Sequence, residues 1–241
     1  MLLFLASCAS KKDVFYFQDI GNAPLQNSFK FLSIQPGDIL DIQIKAFNRE
    51  SVIIFQRQYA NQSSQPQNQN RVVDGYLVGE DGSINLPIIG SVDANGKSTN
   101  SLALEIQEKL SPFVKNPSVN IRILNFRVSV LGEVKNPGTY SVMEERISIP
   151  QALGLAGDLN INGDRNQVLL IRNQDGKSVH RIIDITKSEF IQSDFYFLRQ
   201  NDIIYVRPNN AKVKSSGLVG NVATASSVIS LILSITLLFI R

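Results

Sequence analysis

The chain has 241 residues, an apolar fraction of 43% and a formal net charge of +3, with a pI near 9.0. That length and apolar content allow one or two packed domains and exclude a disordered chain. A single cysteine rules out an internal disulfide, and a single histidine removes the clusters on which most zinc and many acid–base sites depend. Lys and Arg are scattered without interleaved aromatics, which gives no nucleic-acid site.

Residues 1–7 are short and apolar, and Leu5-Ala6-Ser7-Cys8 sets small side chains directly before the cysteine. The pattern resembles a bacterial lipobox, where a signal peptidase cuts before the cysteine and the freed thiol carries a diacylglycerol. Small side chains suit the cut and a terminal thiol suits acylation. Lys11, Lys12 and Asp13 follow, and no Lys or Arg precedes the apolar run, so the basic start of a signal peptide is missing. The other fate of a lone cysteine is burial in a core. Residues 1–7 are therefore read as a signal-peptide remnant, Cys8 as a lipidation site, and residues 8–31 as an anchor and N-terminal segment.

Further along, Gln35-Pro36-Gly37-Asp38 is a turn feeding Ile39, Ile42 and Ile44, which interleave with Asp41, Gln43 and Lys45 as in a strand. Residues 60–71 are mostly Asn, Gln and Ser and predict a solvated loop. Tyr76-Leu77-Val78 and residues 83–87 flank Glu80-Asp81-Gly82, which predicts a hairpin with Asp81 as a turn former. Ser98 and Thr99 are caps for a helix that carries Leu102, Ile106 and Leu110 on one face and ends at Pro112. Val119, Ile121 and Ile123 alternate with polar residues, and the alternation restarts after Asn125 with Phe126, Val128 and Val130; a domain boundary is placed near Asn125.

A turn at Lys135-Asn136-Pro137-Gly138 leads to a strand over residues 139–142. Ser148-Ile149-Pro150-Gln151 is a strong helix start, with Ser148 as cap, Pro150 in the first turn and Gln151 completing a capping box. A hairpin over 168–172 and 179–185 turns at Asn173-Gln174-Asp175-Gly176, and a last strand over 203–206 stops at Pro208.

Residues 217–240 contain no Asp, Glu, Lys, Arg or His. As a helix at about 1.5 Å per residue they reach roughly 36 Å, enough for a hydrocarbon core of about 30 Å. The stretch reads as a membrane span, the alternative being a buried core helix. Gly220, Ala223, Thr224, Ser227, Ser230 and Ser234 fall on one third of the wheel, a face that wants something other than lipid. Lining of a pore and tight helix packing both suit such residues.

Three motifs now carry a resemblance. Pro36-Gly37-Asp38-Ile39-Leu40, with Tyr76-Leu77-Val78 and the run Asp81-Gly82-Ser83-Ile84-Asn85-Leu86-Pro87-Ile88-Ile89-Gly90, resembles a polysaccharide-export domain. Val130-Leu131-Gly132-Glu133-Val134-Lys135-Asn136-Pro137-Gly138-Thr139-Tyr140 resembles the opening of a soluble-ligand-binding β-grasp domain, and Gln200-Asn201-Asp202-Ile203-Ile204-Tyr205-Val206 its closing strand. The chain thus resembles the Wza-like outer-membrane polysaccharide export proteins over roughly residues 32–208, in the compact layout of the Bacteroidetes members. Gln200-Asn201-Asp202 stands where that family has a Pro-Gly-Asp turn, and there is one β-grasp domain where the type member has more.

The resemblance implies an α+β chain of two small β-rich periplasmic domains, 32–125 and 126–208, followed by a linker and transmembrane helix over 209–241. It implies a lipoprotein in the bacterial outer membrane, body in the periplasm, forming a homo-oligomeric ring that passes capsular or exopolysaccharide outward. It implies as partners other copies of the chain, the polysaccharide in transit, outer-membrane lipid and an inner-membrane polysaccharide co-polymerase with tyrosine-kinase activity. A tethered carbohydrate-binding or scaffolding lipoprotein without a pore is the second reading, with Tyr76, Tyr140, Tyr196 and Tyr205 available to stack sugars or to fill cores. An enzyme is the third. Its material is thin: Glu144 and Glu145 are adjacent and point apart in a strand, and His180 lacks an orienting group. No cofactor, metal or catalytic residue is expected.

Overall fold

The computed structural model describes residues 14–21, 32–48, 52, 55, 75–174, 176–215, 226–227, 230–232 and 234–237. Expectations for Cys8 and for the loop over 60–71 lie outside these residues, as does most of the span over 217–240.

The first domain is built on β1 (Ile39–Lys45), which pairs antiparallel with the short β2 (Tyr76–Leu77) on one side and with β5 (Ser118–Ile123) on the other. Leu40, Ile42 and Ile44 point to one face because strand side chains alternate, and all three are buried. Helix α1 (Thr99–Leu110) covers that face with Leu102, Ile106 and Leu110, each fully buried. Ser98 starts it, its Oγ accepting from the Ser101 N–H at 3.1 Å.

The expected hairpin over 76–87 is not formed. Tyr76 and Leu77 pair with β1, whereas β3 (Ser83–Leu86) pairs with β4 (Gly90–Asp93), a strand the sequence pattern did not reveal. The reason lies in the connecting turn. Asp81 accepts from the Ser83 N–H and Oγ–H at 3.0 and 2.8 Å, and Gly82, at φ +80°, accepts from the Ala94 and Asn95 N–H groups. These bonds aim the chain at β4, where Ile84, Leu86 and Val92 join the core.

The second domain is a five-stranded mixed sheet in the order β7 (Gly138–Ser141), β6 (Arg127–Gly132), β10 (Ile203–Pro208), β8 (Gly163–Gln174), β9 (Lys177–Ile183). Only β6 and β10 run parallel. The sheet closes on helix α2 (Ile149–Leu155), whose capping box between Ser148 and Gln151 forms as the sequence predicts. Ile149, Ala152 and Leu153 pack on Val128, Val130, Val168, Leu170, Ile204 and Val206. Helix α3 (Asn210–Ser215) follows the last strand.

The turn before β1 and the turn before β10 have the same construction. Asp38 accepts from the Gln35 N–H at 2.9 Å and Asp202 from the Arg199 N–H at 2.8 Å, with Gly37 and Asn201 both at positive φ. Asp202 is wholly buried and is met by the guanidinium of Arg172. Asp38 is equally buried, its Oδ1 has no hydrogen-bond partner, and burial pushes its carboxyl above the ordinary range. Asn125 lies between the two turns. Its Oδ1 accepts from the Ile39 N–H at 2.8 Å, its Nδ2 donates to Gly37 C=O at 2.9 Å, and its own C=O accepts from Gln200 Nε2 at 2.7 Å. One residue therefore clasps both domains.

Candidate functional site

The segment over 14–21 packs on the second domain, although the first domain follows it in sequence. The Phe17 and Gln18 N–H groups donate to Ile185 and Thr186 C=O at 3.3 and 2.7 Å, and Phe17 stacks on Phe190 with centroids 5.6 Å apart. The Ser188 N–H donates to Asp19 at 2.5 Å, which holds that carboxyl below its ordinary range. The Tyr16 hydroxyl donates to Asp158. Burial and the Asp158 carboxylate both push the Tyr16 phenol up, so it stays a neutral donor.

The outgoing chain meets the same corner. The Asn209 N–H donates to Asn162 C=O at 2.7 Å, and Lys212 Nζ reaches Glu133 Oε1 at 2.6 Å. Glu133 and Asp158 are joined through the backbone: Asn160 N–H donates to Glu133 C=O at 3.0 Å, and Lys135 N–H to Asp158 C=O at 3.0 Å. The loop over 158–163 and the end of β6 thus hold both the incoming and the outgoing chain. Sequence reasoning missed Tyr16, Asp158 and Glu133, because each acts through a partner more than 70 residues away.

Of the residues predicted to form the small face of the tail, Ser227, Ser230 and Ser234 are helical and exposed. Gly220, Ala223 and Thr224 lie outside the described residues. Leu231, Ile232, Ile235 and Leu237 in the same tail are all at least half exposed, so these four apolar side chains are not packed into either core. Among the described residues no helix is long and apolar enough to cross a membrane.

Between the domains lies a cleft of about 980 Å³. Thr99 and Arg122 line it from the first domain, Tyr196, Phe197 and the exposed loop over 143–146 from the second. Tyr196 and Phe197 meet edge to face, centroids 4.9 Å apart, and the Arg146 guanidinium stands 5.4 Å over the Phe197 ring. Of the other tyrosines proposed as sugar platforms, Tyr140 packs on the second core with its hydroxyl on Asn136 C=O, Tyr76 packs on the first core, and Tyr205 is exposed on the open sheet face. His180 is exposed on β9, opposite Ile171, and Glu144 and Glu145 are exposed in a bend. Among the described residues no group of three or more His, Cys, Asp and Glu can hold a metal ion.

Comparison with known families matches residues 30–124 to the polysaccharide biosynthesis/export protein model and residues 126–206 to the SLBB domain. The EPS I polysaccharide export outer membrane protein EpsA of Ralstonia solanacearum is 32% identical over 152 residues, covering 61% of this chain and 40% of that protein. Its counterpart in Ralstonia nicotianae is 33% identical over 152 residues, 61% of this chain and 39% of the relative. The exopolysaccharide production protein ExoF of Rhizobium meliloti is 35% identical over 96 residues, 37% of this chain and 23% of the relative. The chain spans about two fifths of the length of the EpsA relatives it matches. With an export domain and an SLBB domain in tandem over most of its length, the chain belongs to the Wza-like polysaccharide export family.

Proposed function

We propose that the protein is a subunit of a homo-oligomeric outer-membrane conduit, passing capsular or exopolysaccharide from periplasm to cell exterior. The observation that carries this reading is the convergence of both chain ends on one corner of the second domain. Cys8 stands six residues before Val14, at most about 20 Å of extended chain. A lipid on Cys8 and an apolar tail leaving beside Glu133 then enter the same bilayer, with the body hanging from it. The names of the EpsA relatives, which place them in the outer membrane and in polysaccharide export, favour that bilayer.

A tail already accompanied by a lipid anchor is redundant as a tether. Its exposed Leu and Ile side chains gain lipid or neighbouring copies, while the face with Ser227, Ser230 and Ser234 offers small side chains for packing and hydroxyls for a hydrated sugar chain. An inner-membrane polysaccharide co-polymerase with tyrosine-kinase activity is the partner on the supply side. The second reading, a tethered saccharide-binding lipoprotein without a pore, is favoured by the interdomain cleft.

Truncation after Asn209 separates the two. The shortened chain retains both cores, so its thermal midpoint is expected to stay close to that of the full chain, while polymer secretion by the source cell falls to background. Secretion at the full-length level from the truncated protein contradicts the conduit and leaves the binder.

A further inference from the structure

The cleft between the domains is apolar where Leu32, Ile123 and Phe126 line it beside the second core, and charged at its mouth. We propose that it is a saccharide-binding subsite for a neutral, hydroxyl-rich stretch of polymer, an assignment that rests on the export reading above. Its volume of about 980 Å³ is that of a full small-molecule pocket. Tyr196 and Phe197 are only half-buried and meet at 76° to each other, so the wall carries accessible aromatic surface. A pyranose has one face rich in C–H groups that suits such a wall, and a rim of neighbouring hydroxyls that must be hydrogen-bonded.

The mouth supplies those bonds. Arg122 stands on β5 of one domain, and Glu144, Glu145 and Arg146 on the loop of the other, all four exposed. A guanidinium donates as a fork and a carboxylate accepts at two oxygens, which matches pairs of adjacent hydroxyls. Two arginines and two glutamates cancel, so the mouth has no net charge with which to hold a polyanion. A nucleic acid would bring phosphates against Glu144 and Glu145, and a wholly apolar ligand would draw four charged groups out of water while returning no hydrogen bond to them. The opposing walls are held in register by the Asn125 clasp, so the cleft exists before ligand arrives.

The test uses the full-length protein in mild detergent, with short oligosaccharides made by partial hydrolysis of the polymer secreted by the source cell, read by titration calorimetry. Saturable binding is expected for the natural sequence. Arg122→Ala removes a charge-assisted donor from an exposed strand position and is expected to weaken binding about tenfold. Tyr196→Phe keeps the ring and most of the affinity, whereas Tyr196→Ala loses it; if the latter fails to fold, Arg122→Ala alone decides. Tyr205→Ala, on the open sheet face, leaves binding unchanged. No saturable binding by the natural sequence, or binding indifferent to Arg122→Ala, overturns the subsite. Secretion that depends on the tail together with absent binding overturns the subsite alone, whereas secretion that survives truncation after Asn209 overturns the export reading.

Discussion

Replacing Arg172 by Leu is expected to destabilise the second domain by about 3–5 kcal/mol, the range for removing one partner of a buried ion pair. Both side chains are almost fully buried, 2% and 0% exposed. Arg172 Nη2 donates to Asp202 Oδ2 at 2.6 Å and to Phe197 C=O at 3.0 Å, and Nε donates to Asp202 Oδ1 at 3.0 Å. Without the guanidinium, the Asp202 carboxylate keeps only the Arg199 N–H at 2.8 Å among the bonds described, and Phe197 C=O loses its donor. Removing the aspartate as well, in Arg172→Leu with Asp202→Asn, relieves the uncompensated charge and is expected to cost less than the single change. Urea unfolding of the three proteins measures both quantities. A single substitution worth less than about 1 kcal/mol contradicts the role given to the pair.

Gly132→Ala is expected to cost about 3 kcal/mol or more, for two additive reasons. Gly132 has φ +88°, a conformation that costs an L side chain, and a Cβ there stands 2.1 Å from Val206 C=O. That oxygen belongs to β10, the central strand, and accepts from the Glu133 N–H at 2.9 Å. The strand has to move, taking with it Glu133, which holds Lys212 and the start of the tail. For a chain of this size the change lowers the thermal midpoint by roughly 6–12 °C. Gly154→Ala is the contrast: it lies in α2 with nothing within 4 Å of its Cβ, so it should be neutral or mildly stabilising. Equal midpoints for the two variants would count against this packing.

The buried pair was half legible in the sequence. Val168, Leu170 and Arg172 share one face of a strand by simple alternation, which places an arginine on the buried side, and all three are buried. Gln200-Asn201-Asp202 read only as a departure from a Pro-Gly-Asp turn. The structure shows that its aspartate does what Asp38 does in the first domain, with a cation added. Elements set by local chemistry were legible: the capping box at Ser148 and Gln151, the face of α1, the strand at β1. The hairpin over 76–87 was misread because pairing depends on where a turn aims the chain, and Asp81 with Gly82 aims it at a strand of four residues with one buried side chain, Val92. The docking of residues 14–21 on the second domain left no local mark, since Tyr16 and Asp158 are 142 residues apart.

The proposed conduit carries an expectation about assembly: with residues 14–21 and 209–212 both held at one corner of the second domain, copies of the chain would place their tails side by side in one membrane. Electron microscopy of the detergent-extracted full-length protein tests this most directly. Rings with a rotational axis, bearing a bundle of tails on the side of the second domain's 158–163 loop, are the expected result. A stable monomer, or rings whose tails leave from the opposite side, would contradict the conduit.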